Sequence, residues 1–304
     1  MKLRNFRLAV VVLALAGVGL VNAEDFCQKT TDHAVRACQV GARSDYLLAL
    51  GKCDNLADPA SRKACRQQAA ADLAETLQGC DDQESARLTA CEKLGPAPYD
   101  PVIDPANFVT GVTNPYFPLK PGTTFVYEGQ TANGFEHVEF AVTRNTKVIL
   151  GVTCIEVHDT VLLDGKLAED TLDWFAQDKA GNVWYFGENT HELVGGLITT
   201  IDGSFVAGEN GAKAGILMKA HPAIGDFYRQ EFDLGNAEDF AEVLSLAESV
   251  RVPVGAFPRG LQTQETTPLD PSLRELKFYA PGIGHVLTID QNTGDRVKLV
   301  EIRR

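Results

Sequence analysis

Two hydrophobic periods divide the chain. Between residues 31 and 94 the spacing is helical, in stretches such as Ala60 to Leu77 that are rich in Ala, Gln, Leu and Glu. From about residue 107 apolar and polar positions alternate, the period of a half-buried strand. The alternating runs are Thr124 to Glu128, Val138 to Val142, Thr153 to Leu163, Leu167 to Phe175, Val183 to Phe186, Phe227 to Phe232, Leu273 to Tyr279 and Val297 to Ile302. Turn chemistry separates them at Asp164-Gly165, Lys179 to Asn182, Glu209-Asn210-Gly211 and Asn292-Thr293-Gly294. Residues 237–250 hold Ala, Glu and Leu that suit a helix, but Val250, Val252 and Val254 continue the alternation and favour a strand. The expected fold is α+β with segregated halves. A small disulfide-linked three-helix module (24–95) precedes an antiparallel β-barrel or half-barrel (107–304), with a Pro-rich linker at 96–106.

Six of the seven cysteines lie between residues 27 and 91, at spacings of 11, 15, 12, 15 and 11. Cys27, Cys53 and Cys80 recur every 26 or 27 residues, as do Cys38, Cys65 and Cys91, and this reads as a repeated helical unit. Asp58-Pro59 starts a helix, and Gly51 and Gly79 are read as stops, giving helices at 31–52, 59–78 and 82–94. Pairing within units gives Cys27–Cys38, Cys53–Cys65 and Cys80–Cys91. A long hairpin centred near residue 59 gives instead Cys27–Cys91, Cys38–Cys80 and Cys53–Cys65. Gly79 and the Cys80-Asp81-Asp82 turn signal favour the first, and Cys53–Cys65 is common to both. No Cys-x-x-Cys occurs, so disulfides are expected rather than metal or haem.

Export changes the picture of composition. Lys2, Arg4 and Arg7, an apolar run from Leu8 to Val21 and the exit Val21-Asn22-Ala23 have the layout of a signal peptide over residues 1–23. Cys27 is too far from that exit for a lipid anchor. No other segment is apolar enough to span a bilayer, and a periplasmic or secreted location is expected. Loss of the segment takes three positive charges and moves the net charge from −13 to −16. That charge disfavours nucleic acid and anionic membrane surfaces.

Several segments then combine: Asn114-Pro115-Tyr116-Phe117-Pro118-Leu119 with Pro121-Gly122-Thr123, Asp173-Trp174-Phe175-Ala176-Gln177-Asp178, and Gly181 to Glu188. With Gly225 to Glu231 and Tyr279 to Gly284, they resemble a family of secreted bacterial proteins of unknown function, over residues 107–290. The resemblance implies an exported β domain and transfers no catalytic residue.

Candidate chemistry starts from the Asp164-Gly165 hairpin. A plain two-residue turn places Glu156 opposite Asp173 and His158 opposite Thr171 on one face. Two carboxylates and an imidazole there could hold a metal or transfer protons, and a solvated polar face has the same pattern. Arg229 and Glu231 alternate with Tyr228 and Gln230, so Arg229 is either an inward anion binder or half of a surface ion pair. Trp174, Trp184, Tyr185 and Phe186 line either an apolar pocket or a core. Cys154 reads as an inert buried thiol. Asp290 to Asp295 reads as a hairpin turn, since the calcium-loop Glu is missing. No nucleophile elbow, P-loop or dinucleotide fingerprint occurs, and no cofactor or resident metal is expected. Three readings follow in order: an exported protein binding a small, partly apolar ligand through Glu156, His158, Asp173, Trp174, Tyr185, Arg229 and Glu231; a structural protein that oligomerises or docks a partner through the helical module; and a metal-assisted hydrolase using Glu156, His158 and Asp173.

Overall fold

The computed structural model describes residues 24–304; the expected signal segment, residues 1–23, lies outside the described residues. The helical module is a single hairpin of two long helices, α1 (Phe26–Asp54) and α2 (Pro59–Leu94), rather than three. Asp25 caps α1 by accepting from the Gln28 amide, and Asp58 caps α2 by accepting from the Ser61 amide and hydroxyl. Arg62 donates to the carbonyls of Leu56 and Ala57 and ties the turn between them.

The disulfides are Cys27–Cys91, Cys38–Cys80 and Cys53–Cys65, which is the hairpin pairing. The preference for within-unit pairing is corrected, because α2 runs unbroken through Gly79. A mid-helix glycine costs only about 1 kcal/mol. Three covalent rungs and the packing of α2 outweigh that. Spacings of 11 and 15 residues are both close to whole helical turns, so each helix presents its three cysteines on one face.

The β region is one antiparallel sheet. Its strands are β1 (Phe108–Val109), β2 (Thr124–Thr131), β3 (Gly134–Ile149), β4 (Val152–Leu163), β5 (Lys166–Asp178), β6 (Val183–Val194), β7 (Leu197–Thr200) and β8 (Phe205–Val206). There follow β9 (Lys213–Met218), β10 (Phe227–Arg229), β11 (Glu231–Phe232), β12 (Phe240–Val252), β13 (Gly255–Thr266), β14 (Arg274–Ala280), β15 (Gly284–Asp290) and β16 (Arg296–Arg303). The ambiguous segment 237–250 is therefore strand from Phe240 onward. The wall order is β10-β12-β13-β14-β15-β16-β2-β3-β4-β5-β6-β9-β11. Since β10 and β11 are halves of one bent strand, the two ends of the sheet meet at Gln230 and the barrel is nearly closed. Its inner face carries the main core, including Phe125, Val157, Phe175, Leu261 and Leu299. A second cluster, Ile149, Val152, Cys154, Trp174, Ala176 and Phe186, lies against Ile103 and Phe108, on the wall's other face.

One end is plugged. Asn114 donates to the carbonyls of Gly181 and Lys219 and accepts from the Tyr116 amide, while Gln177 Oε1 accepts from the amides of Thr113 and Asn114. This fixes Phe117 edge-on to Phe140 and Phe175, with ring centres 6.1 and 5.4 Å apart. Asp178 accepts from the Asn182 amide and side chain and from the Trp184 indole.

The helical hairpin docks beside the bent strand. Arg87 on α2 donates twice to Glu238, at 3.2 and 2.6 Å, with side chains 5% and 2% exposed. Lys93 pairs with Glu242 and lies over the Phe227 ring. The Pro-rich segment follows the wall, where Tyr99 donates to the Ala214 carbonyl.

Two outcomes are expected. Reduction of the disulfides unfolds the helices and lowers far-ultraviolet helical dichroism. It leaves the near-ultraviolet signal of Trp174 and Trp184, both in the barrel, unchanged; joint collapse of the two signals would refute independent stability. Arg87→Ala strands a buried Glu238 carboxylate and lowers stability in denaturant by about 3–5 kcal/mol, whereas Arg87→Met with Glu238→Leu restores most of it.

Candidate functional site

The Asp164-Gly165 turn forms as expected, with φ of 50° and 75°. Leu163 faces Lys166 and Leu162 faces Leu167, but Val161 faces Glu169. Ala168 is an extra residue, a β-bulge, and every pair beyond it slips by one. Glu156 therefore lies opposite Trp174, His158 opposite Leu172, and Asp173 opposite Val157. A slip of one residue exchanges faces. Asp173 points into the barrel, and Glu156 and His158 point out. The expected three-residue cluster does not exist, and the hydrolase reading loses its site.

The outward residues have structural partners. His158 Nε2 is 2.5 Å from Asp170 Oδ1, in a pair whose side chains are 44% and 43% exposed. Such a pair contributes under about 1 kcal/mol. Glu156 accepts from Asn145 and the Trp174 indole, and Lys147 lies over the Trp174 ring. Arg229 is not half of a surface ion pair, since it is only 8% exposed. It is buried among the rings of Tyr99, Phe232 and Phe240, at 5.4, 4.5 and 4.8 Å. Its Nη1 has no hydrogen-bond partner among the described residues. Cys154 is free and buried, and burial pushes its thiol up to about 12.

The lumen is where chemistry gathers. A cavity of about 780 Å³ runs inside the barrel from the Phe117 plug to hairpin turns at Ala132, Asn133 and Asp295. Of the expected residues it takes Asp173 and Tyr185. Sequence reading missed Asp159, Glu169, Lys277, Tyr279 and His285, which also line it. The alternation Val157, Asp159, Val161, which puts an acidic residue on the apolar face of β4, was the available signal.

One wall is acidic. Tyr185 Oη is 2.5 Å from Asp173 Oδ1 and 2.8 Å from Glu188 Oε2. A phenol has one proton, so it donates to one carboxyl and the other must be protonated to donate back. Burial, then Asp173, pushes Glu188 up to about 8, and burial, then Asp159, raises Asp173 well above the usual carboxylate range. Burial, then Glu169, pushes Asp159 up to about 7. Its Oδ1 is sealed and has no hydrogen-bond partner among the described residues. Glu231 is buried near the same group, and burial followed by Asp239 and Glu188 raises it as well.

The opposite wall is balanced. Lys277 Nζ is 2.7 Å from Glu265 and 3.6 Å from Glu275. Burial opposes its charge, but the two carboxylates outweigh it and raise its pKa. Tyr279 donates to Glu265 at 2.9 Å. Burial, with Lys277 adding to it, pushes His285 down to about 4, so the ring is neutral at physiological pH. Among the described residues no group of three or more His, Cys, Asp or Glu converges on a metal position.

Comparison with known proteins adds little. No family model matches the chain, and no curated protein matches it. Among solved structures, a Parabacteroides distasonis protein provisionally described as a lipoprotein is 15% identical over 62% of this chain and 98% of its own, with a TM-score of 0.34. A likeness of that size carries no argument. Three disulfides in one hairpin mark a protein of the cell envelope or exterior. No described helix is long and apolar enough to cross a membrane.

The buried carboxyls set a pH dependence. Glu188 and Asp159 have folded pKa values above their unfolded ones, so the folded state holds more protons and stability falls as pH rises through about 7 to 8. His285 acts oppositely, but only below its unfolded value of 6.5. Stability is therefore expected to drop by roughly 1–2 kcal/mol from pH 6.5 to 8.5. Glu188→Gln should flatten that slope in denaturant titrations; an unchanged slope would show that Glu188 is ionised throughout.

Proposed function

We propose that this is a periplasmic or secreted binding protein whose barrel holds a small, partly apolar ligand. The observation that carries the reading is the lumen itself. Its volume of about 780 Å³ falls within the ~300–1,000 Å³ of small-molecule sites. A barrel of about eight strands is filled by its own side chains, and this wall has roughly four more. Phe117, Phe125, Phe140 and Phe175 supply apolar area, while the carboxyls, phenols and Lys277 supply groups that orient a ligand.

A second observation favours a docking role for the helical module. Val40, Leu47 and Leu48 on α1 share one helical face and are exposed, so the hairpin carries an apolar stripe that its own packing leaves uncovered.

The binding reading is tested by native mass spectrometry of protein purified from its own host. The expected result is a small mass retained in the folded state and released on unfolding. Val138→Trp, which fills the lumen from β3, should abolish that retention while the protein still melts cooperatively. Equal retention by the folded variant would place the ligand elsewhere.

A further inference from the structure

We infer that the lumen takes a small organic cation with an apolar body, its ammonium group seated at Asp159 between the acidic wall and the Phe140 ring. This deepens the proposed binding role and rests on it.

The charge balance of the lining is one-sided. Eight carboxylates line the cavity against one lysine, and that lysine is held between Glu265 and Glu275. With His285 neutral, no other cationic side chain among the described residues lines the cavity for Asp159, Glu169 and Asp173. An isolated carboxylate taken out of water meets either a proton or a counter-charge. Tyr185 and a shared proton satisfy Asp173 and Glu188. Glu169 accepts from the Thr171 hydroxyl. Asp159 is left over, with Oδ1 unpartnered.

A second unsatisfied group lies behind the lining, enclosed by its neighbours. Tyr228 is 7% exposed and its hydroxyl has no partner among the described residues. Tyr228 pairs with Ala241, Ala241 with Glu265 and Glu265 with Glu275, so all four share the inward face. Of the two, only Asp159 lines the cavity and is within reach of a ligand there.

The register supplies the rest of the seat. Phe140 on β3 pairs with Asp159 on β4, which pairs with Thr171 on β5. Glu169 and Asp173 are diagonal neighbours of Asp159 on the same face. An ammonium group there would meet a carboxylate directly and the face of Phe140 beside it, the combination that favours organic cations. The carboxylates are strung along the wall rather than gathered at a point, which suits a diffuse organic charge better than a metal ion.

The test uses the dialysed full-length mature protein and probes of one size. Phenethylamine and benzyltrimethylammonium are cationic, 2-phenylethanol is neutral and phenylacetate is anionic. Isothermal titration calorimetry is expected to show a cation binding at least tenfold tighter than the neutral or anionic probe. Asp159→Asn should weaken that cation at least tenfold, and Asp170→Asn, on the outer face, should leave it unchanged. Equal or tighter binding of phenylacetate or 2-phenylethanol overturns the cation assignment while the binding role stands. Absence of cation binding overturns it too; if no mass is retained in native spectra either, the binding role falls with it.

Discussion

A β-sheet that ends in water leaves a row of amide and carbonyl groups without partners, and this fold disposes of both edges with one strand. Phe227–Arg229 completes the sheet beside β12, and Glu231–Phe232 completes it beside β9. Gln230 is the bend, and its amide donates to the Asp239 carbonyl. Closure at this seam turns a sheet into a container. The lumen, the inward carboxyls and the plug at Phe117 all depend on it.

A wall of this size encloses more space than its side chains fill, and that explains why its interior tolerates polar groups. In a packed core, Asp159, Asp173, Glu188 and Glu231 would be prohibitively costly as anions. Here Asp159 and Asp173 border a cavity, with phenols and a lysine elsewhere in its lining, and Asp173 and Glu188 share a proton through Tyr185. The site is a partly neutralised acidic wall rather than a catalytic constellation. Its groups are spaced along strands by the pleat instead of converging on one reacting atom.

The sequence made the class of fold legible because strand period and turn chemistry are local properties. Thr124 to Glu128 or Val297 to Ile302 alternates whatever it packs against. Two non-local facts were not legible. Ala168 looks like any strand residue, yet as a bulge it shifts the rest of β5 by one residue against β4, so Asp173 shares the inward face with Val157 and no longer lies opposite Glu156. The cysteine spacings 11, 15, 12, 15, 11 were read as a forward period, but they also read the same backwards. That mirror symmetry is what an antiparallel pair of helices needs to align three rungs, whereas a tandem repeat needs only the period. Gly79 misled for the same reason: local propensity marks a stop, and tertiary staples overrule it. Tyr185 was legible as part of an aromatic concentration, though not its role between two carboxyls, which joins residues on β5 and β6.

The position of the helical hairpin follows from the seam. A bent strand pairs poorly at its kink and is the place where a barrel would open first. Over that place lie Lys93, above Phe227, and Tyr99, whose ring helps to bury Arg229. Arg87 and Glu238 fix the docking at a spot just ahead of β12. A buried ion pair stabilises little relative to apolar packing of the same volume, but it tolerates no misalignment, since a displaced partner leaves a bare charge. The pair therefore acts on register more than on strength, holding a stapled rod in one orientation across the join. The disulfides fit that role: a hairpin with few buried apolar residues is not rigid by itself, and three covalent rungs make it stiff enough to brace a neighbour.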